Sequence, residues 1–365
     1  MNNDYQTQKA GNNSTQIQAT NVTIVQGIDE KRAREIYAEM YEVAKRDLSK
    51  SAYDKANERV KKLEDLLIPK MEQIDGALNS FADPSFQVLL TKASKTAACT
   101  EREPDYNLLS ELLVHRITKK DSRKDIAGIS RAVEIVDQID DDALCGLTVF
   151  HAVSELDPVA RNVIQGLNIL EKLFSKLITL ELPKGTAWIE HLDILDAIRY
   201  SQMGKLENIE TYWTEKMPGF ICIGIKKDSK NYFKAKDLLY NNGLSDSCLQ
   251  ENALLLDFYR IPIIKEKEID NLSIVLDTPI NQHIRLTENQ KVALHEIYKL
   301  YTNDVALQEQ VRQNFIKEIE KRPLLKVLKI WWNSIPYALQ TTAVGRVLAH
   351  ANAQRLNPTV PPLNK

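Results

Sequence analysis

Histidine and cysteine are the side chains best suited to ligate a metal or attack a carbonyl, and the chain carries six of the first and four of the second. A transition-metal site needs ligands at spacings that share a turn or a helix face, such as Cys-x-x-Cys or His-Glu-x-x-His. Neither pattern occurs. His295-Glu296 has no second histidine four residues after the first. His115, His151 and His350 sit inside apolar helical patterns, where a packed, hydrogen-bonded imidazole is expected rather than a ligand. Cys145 and Cys222 lie in apolar runs and read as buried thiols. Cys99 and Cys248 have no flanking nucleophile motif. Asp140-Asp141-Asp142 has the charge to attract a cation, yet it reads more simply as the acidic first turn of a helix, which the helix dipole favours.

Phosphate chemistry fares no better. The Walker pattern, Gly-x-Gly-x-x-Gly and Gly-x-Ser-x-Gly are all missing, and 12 glycines leave little with which to build a cradle. Asp228-Ser229-Lys230 and Glu266-Lys267-Glu268 are fragments of the weak pattern of a metal nuclease, but such triplets arise by chance when 27% of the residues are charged. No catalytic, cofactor-binding or metal-ligating residue is assigned.

The elements that would position chemistry are more informative. The 365 residues suggest about two domains plus some extra. A formal net charge of -2 gives no bulk attraction for nucleic acid, so none is expected as a partner. The polar start, Met1-Asn2-Asn3-Asp4-Tyr5, lacks the basic and apolar regions of a leader. No apolar run approaches the ~20 residues of a membrane-spanning helix. A cytoplasmic chain with reduced thiols is the expectation. The sequons at Asn12, Asn13 and Asn21 are then accidents of composition.

Residues 1–27 stand apart. They are rich in Asn, Gln and Thr, and their only charged side chains are Asp4 and Lys9. Thr15, Ile17, Thr20, Val22, Thr23, Ile24 and Val25 are β-branched, which favours strand. Ile17 and Ala19 alternate, as do Val22 and Ile24 on the opposite parity. Two short strands meeting near Thr20-Asn21 fit this, as does one strand with a bulge. Such a segment has no core of its own, and an isolated hairpin is marginal in water. A polar disordered tail and docking on another sheet edge are both open. Pairing with the same segment in other copies is the sharper expectation, because strand edges template pairing and stacked amides form ladders. Asn13, Thr15, Ile17, Gln18, Asn21, Val22 and Ile24 are the candidate assembly residues, within a segment spanning 12–26.

From Asp29, a plausible N-cap, the spacing predicts one long helix through 28–68, with a seam at Ala56, Val60, Leu63 and Leu67. At a 1.5 Å rise per residue it would span about 57 Å. A helical domain follows over 69–203, including helices at Tyr106–Ile117, Ile126–Ile139, Ala143–Leu156, Val159–Leu182 and Trp188–Met203. A mixed region covers 204–285, with strands expected at Phe220–Ile225 and Ser273–Leu276 and a short helix at Lys234–Tyr240. A C-terminal bundle over 286–357 opens on the capping box Thr287–Gln290. Asn303 or Asp304, Pro323 and Pro336 start its later helices. A proline-rich tail covers 358–365. In the last helix Thr341, Gly345, Ala349 and Ala353 recur every four residues, a row of small side chains that lets a neighbour approach closely. The expected fold is therefore mainly α: a short N-terminal β segment, a long helix, a multi-helix bundle or irregular α-solenoid, and a possible small β element near 220–276.

The run GNNSTQIQATNVTIVQGI, followed four residues later by AREIYAEMYEVAK, resembles an uncharacterised bacterial protein family with an Asn/Gln-rich segment ahead of a helical body. Asn13, Ser14, Ile17, Gln18, Asn21, Val22, Ile24 and Gly27 carry the resemblance at the front. Gly345, Ala351 and Asn352, within TAVGRVLAHANAQR, carry it at the back, with DPSFQVLLTKASKTA and LLSELLVHRI between. The resemblance implies a place in antiphage or conflict systems, where similar segments look like recruitment or multimerisation tags. It implies no catalytic motif. The expected function is a non-catalytic, oligomerising sensor or scaffold in bacterial defence, assembled through 12–26 and meeting a second protein of the system. A metal-dependent nuclease and a membrane-active effector using Trp331 and Trp332 are the alternatives; a membrane is not the expected partner.

Overall fold

Side chains that accept hydrogen bonds from the first free amides set most of the helix starts. In this computed structural model the structure describes residues 28–44, 50–118, 122–275 and 283–363. Asp29 caps α1 (Glu30–Ala44), its carboxylate accepting from the Arg32 amide at 2.8 Å. α2 (Lys50–Glu72) follows, then α3 (Pro84–Cys99), capped by Asp83 with a proline at its first position. α4 (Glu103–Thr118), α5 (Arg123–Ile135) and α6 (Asp141–Glu155) complete the first bundle. The three consecutive aspartates serve as cap and acidic first turn of α6, Asp140 accepting from the Ala143 amide at 2.6 Å. α7 (Val163–Leu177) and α8 (Ala187–Ile194) precede β1 (Ile198–Ser201) and α9 (Ile209–Lys216).

The middle of the chain mixes short elements: β2 (Ile225–Lys226), α10 (Lys230–Asn241), β3 (Gln250–Glu251), β4 (Phe258–Arg260), β5 (Ser273–Val275) and β6 (His283–Arg285). β4 lies between β2 and β3, antiparallel to both, and β5 pairs with β6. α11 (Glu288–Lys299) opens on the full reciprocal capping box of Thr287 and Gln290. Asp304 rather than Asn303 caps α12 (Val305–Glu320), and Pro323 opens α13 (Pro323–Ser334). β7 (Ala338–Thr341) and α14 (Ala343–Leu356) end the ordered elements. The expectation of a mainly helical chain with small sheets holds.

Several element boundaries differ from the local reading, each for a tertiary reason. The stretch expected as one long helix is two helices lying side by side. The Tyr37 hydroxyl donates to the Val60 carbonyl at 3.2 Å, and Arg34 pairs with Glu64 at 2.9 Å. Folding back buries Ile36, Tyr37, Val60 and Leu63 together, whereas a single rod would leave much of that apolar stripe in water. α7 begins at Val163 rather than Val159, because Asp157 is drawn into ion pairs with Lys216 (3.2 Å) and Lys265 (2.6 Å) and Asn162 takes over the cap. The helix expected over Trp188–Met203 stops at Ile194. Asp196 adopts φ 60°, and the chain leaves as β1. Phe220–Ile225 enters a strand only at Ile225.

The last helix starts at Ala343, not near Pro336, since residues 338–341 pair with β1 in the register Ile198↔Thr341 through Ser201↔Ala338. Two strands some 140 positions apart thus satisfy each other's backbone groups, a gain no local propensity encodes.

Two hydrophobic clusters form among the described residues. The larger runs from Ala33 in α1 to Val360 beyond α14; the smaller joins Ile225, Ala235, Leu239, Ile263, Leu294 and Ile297 around α10, α11 and the three-stranded sheet. α14 packs against α4, α5 and α6. Its residues Val347 through Ala353 are all buried, so it is enclosed on every side rather than amphipathic. No described helix is long and apolar enough to cross a membrane.

Candidate functional site

Three helices bring three imidazoles to one buried place. α4 supplies His115, α6 supplies His151 and α14 supplies His350. All three are buried, His151 completely. His151 Nε2 lies 3.1 Å from His350 Nδ1, and His350 Nε2 lies 2.9 Å from the Pro361 carbonyl oxygen. The His115 and His350 rings stand 5.7 Å apart between centroids.

The hydrogen-bond partners fix the protons. A carbonyl only accepts, so His350 carries its proton on Nε2 and offers the Nδ1 lone pair. His151 therefore donates from Nε2, which leaves a lone pair on its Nδ1. Among the described residues that buried atom has no partner. Burial, with the neighbouring His350 and then Arg346, pushes the His151 pKa down to about 3. This imidazole is neutral near pH 7, and it is bonded to His350, which is bonded in turn to the Pro361 carbonyl.

The chain of bonds ends in the C-terminal tail, and the same tail is held from a second point. Gln354 Nε2 donates to the Val360 carbonyl at 3.1 Å, and Gln354 Oε1 accepts from His115 Nε2 at 2.5 Å. Lys176 reaches Asn357 Oδ1 at 3.0 Å, and Val360 is buried in the main core. The proline-rich tail is thus a strap seated on α14. The His115 side of the strap borders a cavity of about 290 Å³ between α4, α5, α14 and Pro362-Leu363. Glu111 and Asp125 line it, the first paired with Lys70 at 2.8 Å and the second with Arg346 at 3.3 Å.

The small-residue row divides. Gly345, Ala349 and Ala353 lie buried in α14, while Thr341 belongs to β7, and Thr342 caps the helix. A Cβ at Gly345 would fall far inside van der Waals contact distance of the Ala197 carbonyl oxygen. Glycine is needed there because α14 runs against the backbone that leads into β1. The row packs helix against helix and strand within the chain.

The assembly candidates Asn13, Thr15, Ile17, Gln18, Asn21, Val22 and Ile24 lie outside the described residues. The first described residue after them is tied down: the Ile28 amide donates to Asn79 Oδ1 at 3.2 Å. Beside it lies a polar hollow of about 270 Å³ lined by Asn79, Asp83 and Arg116.

The remaining candidates for chemistry are placed as follows. Desolvation raises the pKa of Cys99, Cys145, Cys222 and Cys248, that of Cys222 to about 11, so none is poised as a thiolate. Trp331 and Trp332 are core residues. Their indole N–H groups donate to Pro183 and Glu207 carbonyls, each at 2.9 Å, and Trp332 stacks on Phe150. Neither ring faces outward toward a bilayer. Among the described residues no three His, Cys, Asp or Glu side chains are arranged to hold a metal ion.

One arrangement was not visible in the sequence. His295 on α11 sits between Glu266, 3.0 Å from Nδ1, and Asp270, 3.2 Å from Nε2. These carboxylates, Glu266 foremost, raise its pKa. Nothing in the spacing 266, 270 and 295 signals that contact; only the i, i+4 pair of acids is a local pattern.

No curated protein and no solved structure matches the chain. A family model described as ":-like" matches residues 27–365, so the helical body from the root of the N-terminal segment to the strap is what the family shares, and the chain belongs to that uncharacterised family.

Proposed function

We propose that the protein is a non-catalytic sensor or scaffold of bacterial antiphage defence, assembled into homo-oligomers through residues 12–26. The helical body presents surfaces to a second protein of the system. The observation that carries this reading is the anchoring of the segment's root. α1 is packed into the main core through Ala33, Ile36 and Tyr37, and the Ile28 amide is bonded to Asn79. Whatever the segment binds is therefore connected to the core without a long slack linker. Copies joined through 12–26 would hold their bodies at a set spacing, which is what a scaffold requires.

The chemistry of the body supports the same reading. Its histidines at the centre are neutral or internally bonded, and its thiols are held protonated. The test is a phage challenge of bacteria expressing the full chain or a form lacking residues 1–27. Protection by the full chain alone is the expected result. Equal protection by both forms would remove the segment from the mechanism, and protection by neither would remove the defence role.

A further inference from the structure

We propose that the cavity beside the C-terminal strap binds a small amine: a compact apolar body bearing one ammonium group. The inference rests on the sensor reading for its biological purpose only. The cavity is partly open to solvent and measures about 290 Å³, just under the usual range of ligand pockets. It has room for about ten non-hydrogen atoms, taking ~30 Å³ for each water-sized share.

Its walls are mainly apolar: Ile74 beyond α2, Val114 on α4, Ile129 on α5, Val347 on α14, and Pro362 and Leu363 of the strap. The polar groups decide the ligand's charge. Most donors at the site are spent. His115 Nε2–H goes to Gln354, one N–H of the Gln354 amide to Val360, and the Thr118 hydroxyl to the His115 carbonyl. Acceptors remain. Glu111 gives one oxygen to Lys70, and Asp125 gives one to Arg346, which leaves each carboxylate a second oxygen. Among the described residues neither second oxygen takes a hydrogen bond. A ligand must therefore bring donors, and a cationic donor is favoured by two lining carboxylates. An anion of the same shape would meet two carboxylates and only the second amide N–H of Gln354 as a donor.

The position of the site gives binding a consequence. Pro362 and Leu363 form one wall, and the residues just before them are held by His350 and Gln354. An occupant adds contacts to the strap in its seated position, so it favours that position by its differential affinity.

The experiment is calorimetric titration of the full chain with phenethylamine, 3-phenylpropionate and 2-phenylethanol, which share one apolar body and differ in the polar group. Saturable binding of the amine at one site per chain is expected, with the carboxylate weaker by about tenfold or more. Val114→Phe, which fills the cavity, is expected to abolish uptake. Asp125→Asn, which keeps the shape, is expected to weaken it by about tenfold. No saturable uptake of the amine overturns the proposal, as does equal affinity for the carboxylate. Unchanged binding by a folded Val114→Phe or by Asp125→Asn overturns it too. Amine uptake by a protein whose mass does not depend on residues 1–27 would keep the site and overturn the assembly reading. The reverse pair of results would do the opposite.

Discussion

His151 and His350 meet through a single hydrogen bond, Nε2 to Nδ1 at 3.1 Å, across 199 positions of sequence. That contact joins the most apolar helix of the first bundle to the last helix of the chain and, through Pro361, to the strap. Its polarity is set from the strap inward, because the Pro361 carbonyl dictates where His350 keeps its proton.

The buried pair makes stability depend on pH. The folded pKa of His151 lies near 3, below the ~6.5 of an exposed histidine. The unfolded chain therefore binds more protons between those values, and stability falls as pH drops from about 6.5 toward about 3. Urea midpoints at pH 7 and pH 4.5 are expected to separate more for the wild type than for His151→Leu. Equal separations would show that His151 titrates normally in the folded state.

His295 works with the opposite sign. Glu266 and Asp270 hold its pKa above 6.5, so its contribution is fully present below that value and is lost as pH rises through the folded pKa. The ring clamps α11 to the turn at Glu266–Asn271 that leads into β5. A histidine NMR titration is expected to give a midpoint above 6.5, moving down in Glu266→Gln. A wild-type midpoint below 6.5 would contradict the clamp.

Gly345 has no tolerance for a side chain. Adding one methyl group forces α14 away from the Ala197 carbonyl, and overpacking of this kind costs about 1–3 kcal/mol. Gly345→Ala is expected to lower the urea-derived stability by at least that amount. Gly185→Ala, at an exposed loop position with open space but positive φ, serves as the comparison for backbone strain alone. A loss at Gly345 no greater than at Gly185 would mean that the close approach is unimportant.

The indole rings of Trp331 and Trp332 carry core packing. Trp332→Ala is expected to cost about 3–5 kcal/mol, since it removes a buried ring, its stack on Phe150 and its bond to Glu207. Native tryptophan fluorescence is expected to be unchanged by anionic vesicles. A vesicle-dependent blue shift would revive a membrane role for α13.

Local signals carried much of the fold. The caps at Asp29 and Thr287, the choice of Asn303 or Asp304 for α12, the acidic first turn at 140–142 and the proline at 323 were legible because each acts within four residues. The burial of His115, His151 and His350 could be read from their apolar surroundings. Their meeting could not, because it depends on α14 being threaded among α4, α5 and α6. The same limit hid β7. Residues 338–341 have helical neighbours on both sides, and only the distant backbone of Ile198–Ser201 makes them a strand. Asp157 looked like a cap because Pro158 follows it, but two lysines from far along the chain claim its carboxylate. The cavity beside the strap was invisible for a related reason, its walls coming from three helices, the turn after α2 and the tail.

The central claim is assembly through residues 12–26, and the mass of the protein in solution tests it most directly. Light scattering of the full chain and of a form lacking residues 1–27 should be measured at matched concentrations, with circular dichroism to show that both are folded. The account expects a multimer for the full chain and a monomer for the shortened one. Identical masses for the two folded forms would contradict it.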